Sequence, residues 1–286
     1  MTGGGFTLVD VGKLAEPAKV LIEKVSEGVG GVFRPFQIVR VAKAEAEAEK
    51  IRAISNLEIT DIERRGLARV IRAEGRNQHN IEQITGKALP HLRSDAKPEQ
   101  ISNDWIANVF EKCKTVSDED MQAAWAKLLA GEANSPGTFS KTAIQVMSLL
   151  EKSDAELFTN LCSFGWNYGG RLVPMYLEIR DQIYATHGIN FDSMNHLSSL
   201  GLLVFSGAMS YHYAGVPKQL PISYYGREVI LEFHNDSENQ LKIGQLMLTP
   251  VGYQLTTICG SAPIEGFYEY SLNWWKRNGA TPVARP

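Results

Sequence analysis

Six histidines and three cysteines are the residues best suited to bind a metal or move a proton, and their spacing argues against both uses. His79, His91, His187, His196, His212 and His234 include no HxxxH pair. Cys113, Cys162 and Cys259 include no CxxC pair, and none stands at zinc-site spacing from a histidine. Asp118, Glu119 and Asp120 are adjacent acids, but acids in the first turn of a helix complement its dipole without a catalytic role. The run Gly28-Val29-Gly30-Gly31 follows a predicted helix instead of a strand, so it lacks the setting that aims N–H groups at a pyrophosphate. Neither a GxxxxGKS/T loop nor a GxSxG elbow occurs. No catalytic, cofactor-binding or metal-binding residue is therefore expected.

Two weaker constellations stand beside that expectation. Trp166 and Tyr168, set among Gly165, Gly169 and Gly170, would line an aromatic pocket if the fold brought His196 and His212 to them, since an imidazole titrates near neutrality. The competing reading makes the glycines a turn and the histidines ordinary surface or strand residues. Arg64, Arg65, Arg69, Arg72 and Arg76 form a basic stretch of the kind that neutralises nucleic-acid phosphates. Residues 34–76 hold ten bases against seven acids, so a solvated face of helix ion pairs competes with that reading.

Such groups need elements to hold them. Val11, Leu14, Ala18, Leu21, Val25 and Val32 follow a heptad seam, which predicts an amphipathic helix packed on its own domain or on a partner. The mixed charges of Lys13, Glu16, Lys19, Glu23, Lys24 and Glu27 argue against a membrane surface, and Gly28, Gly30, Gly31 and Pro35 end the helix. From Phe36 to Ile54 the chain is dense in Ala, Glu, Lys and Arg, predicting a long helical arm that lies across the body or pairs with a second copy. Ser117 with Asp120 predicts a capping box opening a helix from Asp118 to Ala130, with Gly131 as its stop. Ser140 should open Lys141 to Lys152, and Ser153 with Glu156 a helix through Cys162, making a bundle.

Beyond Phe164 the texture turns to Gly, Tyr and β-branched residues. A short helix from Phe191 to Gly201, a strand Leu202–Phe205, strand-like runs at 229–234 and 241–248, and a helix opened by Thr249-Pro250 read as a winged helix or a close α+β relative. Phe267, Tyr270, Ser271, Trp274 and Trp275 predict a closing amphipathic helix. The expected fold is mainly α with a C-terminal α+β unit: an N-terminal arm over 1–90, a helical bundle over 91–165 and a winged-helix-like domain over 166–286.

Composition narrows the partners. With 44% hydrophobic and 21% charged residues the chain is an ordinary globular one, and its net charge of −3 gives no global basic field. No Lys or Arg occurs from Gln182 through Pro217, so the helix that a winged helix would place in a groove has nothing to neutralise phosphate. The N-terminus lacks a secretory pattern, no run reaches ~18 apolar residues, and the odd, unpaired cysteines suit a reducing compartment; a cytoplasmic setting is expected.

The stretch RNQHNIEQITGKALPHL, followed by DWIANVFEKCKTVSDEDMQAAWAKLLAGEANSPGTFSKTAIQVMSLLEKSDAELFTNLCSFGW, resembles the bacterial domain-of-unknown-function family numbered 2806, as does the surround of LTPVGYQL. The opening LAEPAKVLIEKVSEGVGGVFRPFQIVRVAKAEAEAEKI is similar to that family and, more loosely, to the abortive-infection alpha proteins. The resemblance implies a bacterial origin, a cytoplasmic setting and a role in defence against phage, and carries no site residue over. The segment LAGEANSPGTFS reads physically as a tight helical corner. The expected function is a non-enzymatic protein-interaction or self-associating scaffold component. The rivals are a nucleic-acid-binding regulator using the arginines, an enzyme with a site between two domains, and, more remotely, membrane contact through the first helix.

Overall fold

Leu21 and Val25 have no exposed surface, and with Ala18 they form the inner face of the first helix, α1 (Glu16–Val29). In this computed structural model the described residues are 15–30 and 60–284, so the expected arm over 36–54 and the seam positions Val11, Leu14 and Val32 lie outside them. The chain forms two compact units, divided between Lys141 and Thr142.

In the first unit α1 packs on α3 (Asn103–Cys113), where Gly28 lies so close to Ile106 that a Cβ would collide with it. The heptad seam is thus occupied inside its own unit over the described positions. α2 (Asp61–Ala88) starts at a capping box: Thr60 N–H donates to Glu63 Oε2 at 2.8 Å and Glu63 N–H to Thr60 Oγ1 at 3.4 Å. Its C-terminal half buries Asn80, Ile81, Ile84, Thr85 and Ala88, packing on α4 (Glu119–Asn134). Gln122 on α4 ties this seam together, its amide donating to Val116 O at 2.9 Å and to Asn80 Oδ1 at 3.3 Å.

Two expected boundaries move here. The cap of α4 is Asp118, whose carboxylate accepts from Asp120 and Met121 N–H, one residue beyond the expected Ser117. Gly131 does not stop α4, which continues to Asn134; the Phe139 ring sits against Gly131 where a side chain would be. The corner that follows is built on buried Glu132, which accepts from Gly137 N–H at 2.6 Å and Phe139 N–H at 2.8 Å, while Trp105 Nε1 donates to Phe139 O at 2.8 Å.

α5 (Lys141–Met147), in the second unit but for its first residue, ends five residues short of the expected Lys152, and α6 (Lys152–Cys162) starts there instead. Its box pairs Glu151 N–H with Asp154 Oδ2 at 2.9 Å, leaving Ser153 inside the helix. The division at 141/142 precedes the change of texture near 165 because α6 packs on the sheet strand β2 and on α8. β1 (Gly165–Tyr168) and β2 (Arg171–Pro174) form a hairpin through Gly169 and Gly170, both at positive φ as such a tight turn requires. α7 (Gln182–Ala185) and α8 (Phe191–Ser199) follow.

The chain then folds as three nested antiparallel pairs: β3 (Leu203–Phe205) with β8 (Leu246–Leu248), β4 (Tyr211–Val216) with β7 (Asn239–Gly244), and β5 (Gln219–Tyr224) with β6 (Arg227–Phe233). The innermost pair joins a five-stranded sheet of order β2-β1-β5-β6-β9, closed by β9 (Ala280–Ala284). α9 (Pro250–Thr256) opens as expected, with Thr249 Oγ1 accepting from Gly252 N–H at 3.0 Å and donating to Gly201 O at 2.7 Å. Gly252 rests on the Leu202 carbonyl, where a Cβ would collide. α10 (Phe267–Arg277) closes the core, which is aromatic: Trp166, with no exposed surface, stacks on Tyr268 and meets Trp275 edge-on. The second unit is therefore α+β with an antiparallel sheet, as the sequence predicts at that level. Among the described residues no helix is long and apolar enough to cross a membrane.

Candidate functional site

Four of the five candidate arginines share one face of α2. At about 100° per residue, Arg65, Arg69, Arg72 and Arg76 fall within about 60° of one another. All four are exposed. Arg65 pairs with Asp61 at 3.3 Å across two exposed side chains, a contact that water screens. Among the described residues no acid lies within ion-pair distance of Arg69, Arg72 or Arg76. Glu63 and Glu74 turn to the opposite side, where Glu63 serves the cap and Glu74 accepts from Asn77. Arg64 leaves the row: it is half-buried, and its Nε has no hydrogen-bond partner among the described residues. Of the three described acids interleaved with the arginines, Asp61 stays on the row's face with Arg65, and Glu63 and Glu74 lie on another side of the helix; the acids at 45, 47, 49 and 58 lie outside the described residues.

The pocket quartet is distributed through the second unit. Trp166 is core, its Nε1 donating to Ser271 Oγ at 3.2 Å. Tyr168, half-buried at the end of β1, packs its ring 5.0 Å from that of Tyr213. His196 on α8 is paired through Nε2 with Asp154 Oδ1 at 2.6 Å, with half of the imidazole exposed. His212 is exposed on β4. Because neighbours on a strand point to opposite faces, Tyr213 beside Tyr168 turns His212 away from it. No shared pocket gathers the four.

His212 lines a different cleft, of about 300 Å³, with Leu177, Glu178, Ser210, Lys242, Gln245, Trp274 and Asn278. Lys242 is its direct cross-strand partner on β7, so two nitrogen donors stand side by side. Trp275 Nε1 donates to Lys242 O at 3.4 Å, anchoring α10 to that strand and setting Trp274 at the cleft. Gln245 Oε1 is buried without a donor among the described residues, while its amide nitrogen donates to Gly207 O at 3.1 Å. The cleft offers one acid, one base, an imidazole, a serine hydroxyl and an aromatic face, groups that can orient a small polar ligand. Among the described residues no three of His, Cys, Asp or Glu cluster as a metal site.

A family model described as a protein of unknown function, DUF2806, matches residues 64–271, well over half of the chain. The chain belongs to the DUF2806 family. No curated protein and no solved structure matches it. The DUF2806 region begins at Arg64 and so contains the whole arginine row, the corner at Glu132 and the LTPVG cap, and it ends on α10 at Ser271. Within it, sequence reasoning singled out the arginines and His212 but missed Glu178, Lys242 and Gln245. No spacing rule could have found these cleft residues of the DUF2806 chain, because they come from separate segments brought together by the nested strands.

Proposed function

We propose that this chain is a non-enzymatic binding component whose working surface is the row Arg65, Arg69, Arg72 and Arg76, and that the row takes the phosphate backbone of a nucleic acid. The observation that carries this reading is the exposure of Arg69, Arg72 and Arg76 on one helix face with no acid in ion-pair distance among the described residues. At 1.5 Å rise per residue the row is about 16 Å long, over which a duplex presents about ten phosphate charges. Of the three features that favoured a protein partner, two are occupied internally, the described seam of α1 on α3 and Phe267, Ser271 and Trp275 of α10, while the arm over 36–54 lies outside the described residues. With a net charge of −3 the chain has no long-range pull on a polyanion, so the row must act at contact distance.

The second unit enters the proposal as a winged-helix-like scaffold, supported by its order of helix α8, strand β3, nested hairpin and helix α9. α8 carries no Lys or Arg, which favours α2 as the phosphate-contacting element. A setting in phage defence rests on the resemblance of the N-terminal segment alone. The test is the affinity for a labelled DNA duplex between roughly 50 and 200 mM salt. Four phosphate contacts give a log–log slope of about −3 to −4, flattened by about three when Arg65, Arg69 and Arg72 become Ala. Binding with no salt dependence, or a slope unchanged in the triple variant, overturns the reading. Absent binding together with a dimer by light scattering would return it to self-association.

A further inference from the structure

Cys162 is the last residue of α6 and has no exposed surface; Cys259 follows α9 and is half-buried. They are 97 positions apart in the sequence, yet the two thiols are within hydrogen-bonding reach of each other. The surrounding contacts hold the two segments side by side independently. Thr159, one turn before Cys162, donates its hydroxyl to Cys259 O at 3.3 Å. The Tyr225 hydroxyl lies 3.2 Å from Cys162 O and 2.6 Å from Ser261 Oγ, so it spans both segments. Cys259 Sγ also donates to Thr256 O at 3.3 Å. Cys113 is buried in the first unit and has no such neighbour described.

We propose that Cys259 and Cys162 are an oxidisable pair that forms an intramolecular disulfide on reaction with a hydroperoxide. Cys259 is the sulfur that an oxidant can reach. Burial pushes the Cys162 thiol well up, which keeps it protonated and poor at meeting an oxidant itself. The Cys259 thiolate attacks the terminal peroxide oxygen; the O–O bond breaks, the alcohol leaves with a proton, and Cys259 becomes a sulfenic acid. The Cys162 sulfur then attacks the Cys259 sulfur, the S–O bond breaks, and the hydroxyl leaves as water with the Cys162 proton. Two thiols lose two electrons, and one hydroperoxide becomes one alcohol and one water. The new bond would fasten the end of α6 to the segment after α9 and enclose the whole nested hairpin in one covalent loop, which stabilises chiefly by restricting the unfolded chain.

The experiment treats the full-length chain with tert-butyl hydroperoxide at near-stoichiometric ratio and reads intact mass, tryptic cross-links and the thermal midpoint. The expected result is loss of two hydrogen masses, a Cys162–Cys259 linked peptide, and a rise in midpoint on the order of 5–10 °C that a thiol reductant reverses. C113S should behave as the native chain does. C162S should instead hold a sulfenic acid at Cys259 that dimedone traps, and C259S should leave Cys162 unmodified. A stable sulfenic or sulfinic acid at Cys259 in the native chain, a link involving Cys113, a link only between two molecules, or no reaction at Cys259 overturns the proposal. The native-chain peptide map decides it even if a serine variant misfolds.

Discussion

All ten tyrosines follow Thr142, whereas 20 of the 29 lysines and arginines precede it, so the two units handle polar side chains in different ways. The first unit has 20 acids against its 20 bases and the second 12 against nine, so neither is a basic body. The contrast lies between the tyrosine hydroxyls of the second unit, many of them tied to other protein groups, and the arginine row of the first. In the second unit the Tyr184 hydroxyl donates to Met175 O, that of Tyr224 to Ser163 O and that of Tyr270 to Asp181, while those of Tyr213 and Tyr253 meet at 2.7 Å. In the first, the guanidinium groups of Arg69, Arg72 and Arg76 face solvent. Residue type alone would have favoured the aromatic, histidine-bearing half as the site; the unused donors favour the other half.

The sharpest way to break this contrast is Trp166→Ala. Trp166 lies within 5.4 Å, centroid to centroid, of Tyr224, Tyr268 and Trp275, so its removal should cost the second unit about 3–5 kcal/mol in urea unfolding. A loss below about 1 kcal/mol would mean that the aromatic cluster is not the core. Next comes Glu132→Ala in the first unit, which strips the buried Phe139 N–H and the Gly137 N–H of their acceptor and should cost about 1–3 kcal/mol, read through the fluorescence of Trp105 and Trp125. A neutral result would deny that this carboxylate builds the corner.

Alkaline titration separates the units by chemistry. Burial pushes the Tyr176 phenol up to about 12, against about 10 in an unfolded chain. A folded-state value above the unfolded one means that the stabilisation is whole below pH about 10 and is lost as pH rises through about 12. Phenolate absorbance should therefore rise together with loss of the near-ultraviolet signal of the second unit; Tyr176 titrating near 10 without unfolding would contradict its burial. The smallest expected effect is that of the triple Arg65, Arg69, Arg72 to Ala variant on stability, within about 0.5 kcal/mol, since exposed side chains and the screened surface pair of Arg65 with Asp61 add little. A larger loss would show that the row holds the fold.

Legibility in the sequence followed locality. α8, α9 and α10 were readable because cap, periodicity and stop lie within a dozen residues, and Thr249-Pro250 names its own helix start. The Thr60–Glu63 box was also written in the sequence, a threonine followed three residues on by a glutamate. Gly131 misled because its glycine answers to a ring eight residues on, not to a helix end. β4 and β9 escaped because their pairing depends on distant strands: Tyr213 with Leu241, Val283 with Ile230. The arginine row was legible as composition; that Glu63 and Glu74 lie on another side while Asp61 stays with Arg65 became visible only with the helix in place.

The nested pairing from Leu203 to Leu248 also implies an order of assembly. Once the turn at Tyr225-Gly226 brings β5 to β6, each outer pair closes a loop that the inner pair has already shortened, so the entropy of joining Leu203 to Leu248 is met in small steps. The segment can zip outward from its tip, and the slow event left for this half of the protein is the late seating of that tip between β1 and β9.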